Sequence, residues 1–214
     1  MTVTEIVLNS PLVPVFYHPD AGVSKRIMQA CYAGGVRAFE FTNRGENALE
    51  VFRELARDAE ANCPGLQLGI GTVATGESAR QFIDAGADFV VQPFTTPEVG
   101  EVCQRHGIPW IPGAMSATEI YNATVLGAEI VKIFPGNVLG SGYVKALRGP
   151  MPRVKLMVTG GVEPTEESLN EWFSAGANAV GLGSQLFKAI EQPEIITQTL
   201  TRLFGWAKSN LNLK

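Results

Sequence analysis

The sequence predicts a single-domain α/β protein, a (β/α)8 barrel of the TIM type over residues 1–214, and three observations carry that prediction. Eight short apolar runs alternate with amphipathic helical stretches along the 214 residues, the pattern of strands each followed by a helix. A weak repeat marks the joints: a small or apolar residue and glycine, then one or two residues, then an apolar run, at 33–36, 85–88, 126–129 and 175–178. The third observation is that polar residues in otherwise apolar runs fall at their C-terminal ends, where barrels of this type place function. A doubly wound open sheet is the competing architecture, but it normally runs to about five or six strands.

Taken in order, residues up to Asn9 are expected to form a short helix across the barrel's bottom. The strand candidates are residues 12–17, 37–42, 68–73, 89–94, 109–112, 130–134, 155–159 and 179–183. Each is short and bounded by glycine, proline or polar residues. The glycine of each repeat falls where a helix should end, because glycine takes the left-handed cap conformation at little cost. The stretch from about 194 to 208 reads as the final helix, and the last residues are expected to fray. No linker, low-complexity run or charge block divides the chain.

Composition narrows the function. A hydrophobic fraction of 45% and a charged fraction of 18% describe an ordinary globular chain with a substantial core. A net charge of −4 argues against nucleic acid as a partner. No apolar run is long enough for a membrane span, and the N-terminus lacks the basic-then-apolar form of a signal peptide. Cys31, Cys63 and Cys103 are odd in number and lie far apart, which suits a reducing cytoplasm and supplies neither a disulfide framework nor a zinc site. With only His18 and His106 as imidazoles, a His-rich metal centre is excluded; no metal and no cofactor are expected.

The chemistry is expected at Lys132, flanked by Ile130, Val131, Ile133 and Phe134 in a run ended by Pro135-Gly136. A lysine held among apolar side chains loses part of the hydration that favours its ammonium form, and the free amine is the form that attacks a carbonyl. The bland alternative is a strand-end lysine that snorkels to solvent. In the second strand, period two puts Ala38, Glu40 and Thr42 on one face and Phe39 and Phe41 on the other. The phenylalanines should pack under the helices, leaving Glu40 to point into the barrel mouth. Its alternatives are a solvated edge position or a pair with Arg37 or Arg44. Arg44, at the exit of that strand, belongs either to a solvated loop or to a clamp on a carboxylate.

The third strand ends Gly69-Ile70-Gly71-Thr72-Val73, where glycines allow close approach of a ligand. The seventh runs into Thr159-Gly160-Gly161 and the eighth into Gly181-Leu182-Gly183-Ser184. Glycines after the last two strands, with Ser184 able to start a short helix, suit a phosphate cradle of backbone N–H groups. His106, just before Gly107, reads as a helix C-terminal residue; His18 follows the first strand and could reach the mouth. Trp110 and Phe134 read as pocket walls or core.

With these residues assembled, the chain resembles the family of 2-keto-3-deoxy-6-phosphogluconate (KDPG) and 4-hydroxy-2-oxoglutarate (KHG) aldolases over roughly residues 11–187. The likeness rests on Val13-Pro14-Val15, Gly34-Gly35-Val36, Phe39-Glu40-Phe41-Thr42-Asn43-Arg44, Gly69-Ile70-Gly71-Thr72-Val73, Ile111-Pro112-Gly113, Val131-Lys132-Ile133-Phe134-Pro135 and Thr159-Gly160-Gly161-Val162. The resemblance implies that Lys132 is the Schiff-base lysine, Glu40 the proton shuttle and Arg44 the residue that holds the pyruvate carboxylate. It places Thr72, Pro93 and Phe134 around the pyruvyl half, and Thr159, Gly160, Gly161, Gly183 and Ser184 at the distal hydroxyls and phosphate. It further implies a metal-free, cytoplasmic homotrimer acting on a 2-keto-3-deoxy sugar acid and pyruvate. Three stretches depart from the common pattern: Tyr17-His18 where many members have an arginine, Met115-Ser116-Ala117-Thr118-Glu119 without the usual proline, and Gln92 before Pro93 where a small residue is frequent. These leave the lysine chemistry intact and bear on the choice of sugar acid. The rivals are a non-catalytic or regulatory phosphosugar-binding barrel, which needs only the cradle, and a phosphate-binding isomerase or synthase, which needs no buried amine.

Overall fold

A computed structural model of the chain describes residues 1–211; the expected fraying of the last residues falls largely on 212–214, outside them. Helix α1 (Val3–Asn9) is followed by β1 (Leu12–Phe16), α2 (Ala21–Ala33), β2 (Ala38–Thr42), α3 (Ala48–Asn62), β3 (Gln67–Gly71), α4 (Gly76–Asp84), β4 (Phe89–Val91) and α5 (Pro97–His106). Then come β5 (Trp110–Ile111), β6 (Gly113–Ala114), α6 (Ala117–Val125), β7 (Ile130–Ile133), α7 (Gly136–Leu147), β8 (Lys155–Thr159), α8 (Glu166–Ser174), β9 (Ala179–Leu182) and α9 (Pro193–Asn210). All pairings are parallel, in the order β5-β4-β3-β2-β1-β9-β8-β7-β6. The two ends of that order are consecutive in the chain, so the sheet rolls into an α/β barrel of the TIM type.

The expected fifth strand, 109–112, is split and reaches further. Pro112 has no N–H to give to the ladder, so β5 pairs with β4 on one side of it and β6 with β7 on the other. The Pro112 carbonyl still accepts from the Lys132 N–H at 2.7 Å and keeps the barrel joined. Two other strands end earlier than expected for related reasons. Strand β4 stops before Pro93, and β3 stops at Gly71 because Thr72 turns to a positive φ of 62°.

The four repeat glycines do what their positions require. Gly35, Gly86, Gly127 and Gly176 follow the ends of α2, α4, α6 and α8 with φ between 93° and 105°, which costs a residue with a Cβ far more than glycine. At the other end of these helices, Asp20, Thr75, Ser116 and Thr165 each accept a backbone N–H in the first turn.

Alternation along the strands separates two apolar layers. Phe39 and Phe41 join the layer between barrel and helices, where Phe41 lies 6.4 Å from Phe52 and Phe52 5.3 Å from Phe82. Val13, Ala38, Phe89, Val91, Ile111, Ile130, Met157 and Ala179 fill the lumen, closed from below by Val7 of α1. Helix α1 therefore plugs the bottom, as expected, and is started by a capping box between Thr2 and Glu5. All three cysteines are buried and unpaired. Burial pushes the Cys63 and Cys103 thiols up, to about 11 and about 12, which makes them inert packing groups.

Candidate active site

Six of the lumen residues just named (all but Phe89 and Val91), together with Gly69, lie two positions before a second inward-facing set, one layer nearer the C-terminal ends of the strands. That set is Val15, Glu40, Gly71, Gly113, Lys132, Thr159 and Gly181. Glycines at three of these positions leave the space in which the polar side chains meet. Lys132 is 5% exposed and Glu40 1%, and Lys132 Nζ stands 3.5 Å from Glu40 Oε1. Between β2 and β7 lie three other strands in the sheet order, so the two side chains reach each other across the barrel. The bland readings are corrected accordingly: Lys132 does not snorkel to solvent, and Glu40 pairs with neither Arg37 nor Arg44.

A buried ammonium is tolerated because a carboxylate faces it. The Phe134 ring adds an attractive face 5.3 Å from Nζ. Gly71 is required by the same geometry: a Cβ there would collide with Glu40 Oε1. Two buried polar atoms in this layer have no hydrogen-bond partner, Glu40 Oε2 and Thr159 Oγ1. Buried polar groups are rarely left so, and both sit where a substrate hydroxyl or a water would find them. The Thr159 hydroxyl is pressed against Gly181, whose missing side chain makes room for it.

The remaining expected residues ring this centre at the strand exits. Arg44 is exposed just beyond β2, with no hydrogen bond or ion pair to its guanidinium among the described residues. Thr72 is half-buried and left-handed, an uncommon state for a β-branched residue and one found mostly where function over-determines it. Pro93 is half-buried at the exit of β4, its backbone packed so tightly on Gly113 that a side chain there would overlap it. Gly160 and Gly161 have φ of 93° and 76° and lie on the first turn of α7, where a Cβ on Gly161 would come within 2.6 Å of Asn137 Cβ. Asn137 was not singled out from the sequence; only the packing of α7 against the loop after β8 brings it there. Gly183 and Ser184 leave β9, but no helix starts at Ser184. Residues 184–190 are turns with hydrogen bonds from Leu186 N to Gly183 O and from Phe187 N to Ser184 O. These i to i+3 bonds align no helix dipole, so anion binding there falls to individual N–H groups.

Both histidines have structural partners. His106 Nδ1 donates to Val102 O at 2.9 Å at the end of α5, before the left-handed Gly107. His18 Nδ1 accepts from Asp20 N at 3.1 Å in the loop that leads into α2. Trp110 donates its indole N–H to Gln92. No cluster of His, Cys, Asp and Glu that could hold a metal occurs among the described residues, and no helix among them is long and apolar enough to cross a membrane.

A family model described as KDPG and KHG aldolase matches residues 3–199. The chain belongs to that family. It is an aldolase, a lyase acting on carbon–carbon bonds. A 2-dehydro-3-deoxy-phosphogluconate aldolase of Treponema pallidum (strain Nichols) is 36% identical over 163 residues, 76% of each chain. A KHG/KDPG aldolase of Escherichia coli (strain K12) is 32% identical over 162 residues, 74% of this chain and 73% of its own. Among solved structures, KDPG aldolase from Legionella pneumophila superposes with a TM-score of 0.81 at 28% identity, covering 92% of this chain and 95% of its own. That relative was captured with pyruvate as a covalent carbinolamine intermediate. That relative thus forms the kind of adduct that a lysine amine makes with a ketone.

Proposed function

We propose that the chain is a class I aldolase. It cleaves a 2-keto-3-deoxy-6-phospho sugar acid to pyruvate and glyceraldehyde 3-phosphate, and also 4-hydroxy-2-oxoglutarate to pyruvate and glyoxylate. The observation that carries this reading is the buried Lys132–Glu40 pair, 3.5 Å apart in the mouth of the barrel. A barrel that only bound a phosphosugar would gain nothing from burying these two charges.

Lys132 Nζ attacks the C2 carbonyl, and loss of water from the carbinolamine gives an iminium. The C4 hydroxyl gives its proton to Glu40, directly or through one water. The C3–C4 bond breaks, its electrons flow into the iminium, and the aldehyde leaves. Glu40 returns a proton to C3 of the enamine, and water hydrolyses the new iminium to pyruvate and the free lysine. Arg44 fixes the substrate carboxylate, with Thr72, Pro93 and Phe134 forming the walls around the pyruvyl half. Thr159 takes a distal hydroxyl, and the N–H groups at Gly160, Gly161, Gly183 and Ser184 hold the phosphate. Binding energy so far from the reacting bond helps to hold it in place. The open backbone at Gly183 supports this assignment, since nothing stands within 4 Å of where its side chain would be, whereas Asn137 packs on Gly160 and Gly161.

Turnover of the 6-phosphorylated acid, its non-phosphorylated analogue, the C4 epimer and 4-hydroxy-2-oxoglutarate, each coupled to pyruvate detection, tests the reading. The phosphorylated acid is expected to have the highest kcat/KM, by about tenfold or more. Equal values with and without phosphate would remove the cradle assignment, and no pyruvate from any of the four would remove the function.

The same reading takes the chain as one cytoplasmic barrel domain that assembles as a homotrimer. Support comes from exposed apolar side chains on neighbouring segments, Phe94, Met115 and Val138 at the mouth and Tyr121 and Val125 along α6. The loop after β4 is tied to β6 by Gly113 N to Phe94 O and Thr95 Oγ1 to Gly113 O, and Tyr121 and Val125 lie one turn apart on α6. Such a patch favours a protein partner, here further copies of the chain. Sedimentation equilibrium should return the mass of three chains; a monomer at micromolar concentration would refute the trimer.

A further inference from the structure

We propose that Gln92 is a positioning residue for the pyruvyl half of the site, acting through Thr72 without touching the substrate. Gln92 stands on the outward face of the strand run, between the lumen residue Val91 and Pro93, and is wholly buried. Its amide is fully committed. Nε2 donates to Val73 O at 3.0 Å and to Thr96 Oγ1 at 2.9 Å, and Oε1 accepts from Trp110 Nε1 at 2.8 Å. The orientation of the amide follows from its partners, because an indole N–H can only donate and a backbone carbonyl can only accept. One side chain thus ties together the loop after β3, the start of α5 and the strand β5.

Thr72 is what this bridge holds. A β-branched residue at a φ of 62° is strained and persists only where its neighbours leave it no choice. The peptides on both sides of it are gripped. Asn43 N donates to Gly71 O at 2.9 Å, Val73 N reaches Val91 O at 3.5 Å, and the Val73 carbonyl is held by Gln92. Remove the Gln92 donor and the carbonyl after Thr72 loses its only side-chain anchor among the described residues. Relaxation of Thr72 would then move its hydroxyl and its backbone within the pyruvyl pocket. Gln92 is also next to Pro93, so the same bridge sets where that wall stands.

The inference rests on the aldolase reading, and the test separates the two. The reaction followed is exchange of the pyruvate methyl protons for deuterium in D2O, observed by NMR, which needs the lysine adduct, Glu40 as the proton carrier and the pyruvyl pocket but no sugar acid. Gln92→Met, which keeps length and apolar volume, is expected to raise the KM for pyruvate about tenfold while kcat changes by less than about threefold. The decisive readout is a double-mutant cycle. If Gln92 acts through Thr72, Gln92→Met added to Thr72→Ala should change KM by less than about twofold. A merely structural role would instead lower kcat and thermal stability together and add fully to Thr72→Ala. Additive effects, or an unchanged KM in folded Gln92→Met, would overturn the proposal. Should Gln92→Met fail to fold, Trp110→Phe removes the donor that orients the amide while keeping an aromatic ring in its place. It should raise KM about two- to threefold, again suppressed by Thr72→Ala, and an unchanged KM there overturns the proposal equally. Absence of exchange by the unaltered protein would bring down the aldolase reading and this inference with it.

Discussion

Lys132→Ala is expected to abolish turnover, lowering kcat by about four orders of magnitude or more, because no other amine among the described residues lies in the site to form the iminium. Borohydride reduction in the presence of pyruvate should place a mass adduct on the peptide containing Lys132 in the unaltered protein and on no peptide of the variant. The substitution also has a structural consequence that the site geometry dictates. Glu40 is 1% exposed and its Oε2 already lacks a partner; without the lysine its charge is buried and uncompensated. Breaking one side of a buried pair typically costs about 3–5 kcal/mol, so the variant should melt well below the unaltered protein. Adding Glu40→Gln should recover much of that loss, since an amide brings no charge into the lumen. Normal turnover by a folded Lys132→Ala protein would overturn the whole scheme.

Glu40→Gln alone separates adduct formation from proton transfer. The amide keeps the shape of the carboxylate beside Lys132 but cannot accept the C4 hydroxyl proton. Pyruvate should still be trapped on Lys132, while cleavage of the sugar acid falls by about 10²–10⁴-fold, the usual worth of a placed general base. Exchange of the pyruvate methyl protons should slow in parallel, because the same group returns the proton to C3. Gly71→Ala should reproduce this partly from the opposite side, since a methyl group there drives Glu40 from its position. If Glu40→Gln cleaves substrate at the normal rate, the proton shuttle lies elsewhere, with Thr159 and its unpartnered hydroxyl the next group to examine.

Much of this architecture is written locally. The alternation of helical and apolar runs, the glycines after α2, α4, α6 and α8, and the capping residues Thr2, Asp20, Thr75, Ser116 and Thr165 all act within a few residues of themselves. Period two along residues 38–42 was enough to turn Glu40 inward and the two phenylalanines outward. The clustering of Lys132, Glu40, Thr159 and the strand-exit glycines at one end follows once the barrel is assumed, because parallel strands all present their C-terminal ends on the same side.

The sequence by itself therefore determined the barrel and its plugged bottom, since both depend on periodicity or on the conformational limits of single residues, and it singled out Lys132 as the candidate lysine. Only the tertiary structure decided which charges pair. Lys132 and Glu40 sit on strands that never hydrogen-bond to each other, and closure of the sheet sets their 3.5 Å separation. It also decided that Pro112 splits the fifth strand and that no helix follows β9. The commitment of Gln92 to three different segments, and through it the left-handed turn at Thr72, likewise belongs to the assembled chain. Each of these depends on groups far apart in sequence meeting in a space whose size is set by the residues that are missing a side chain. Local pattern says nothing about that space until the barrel has closed around it.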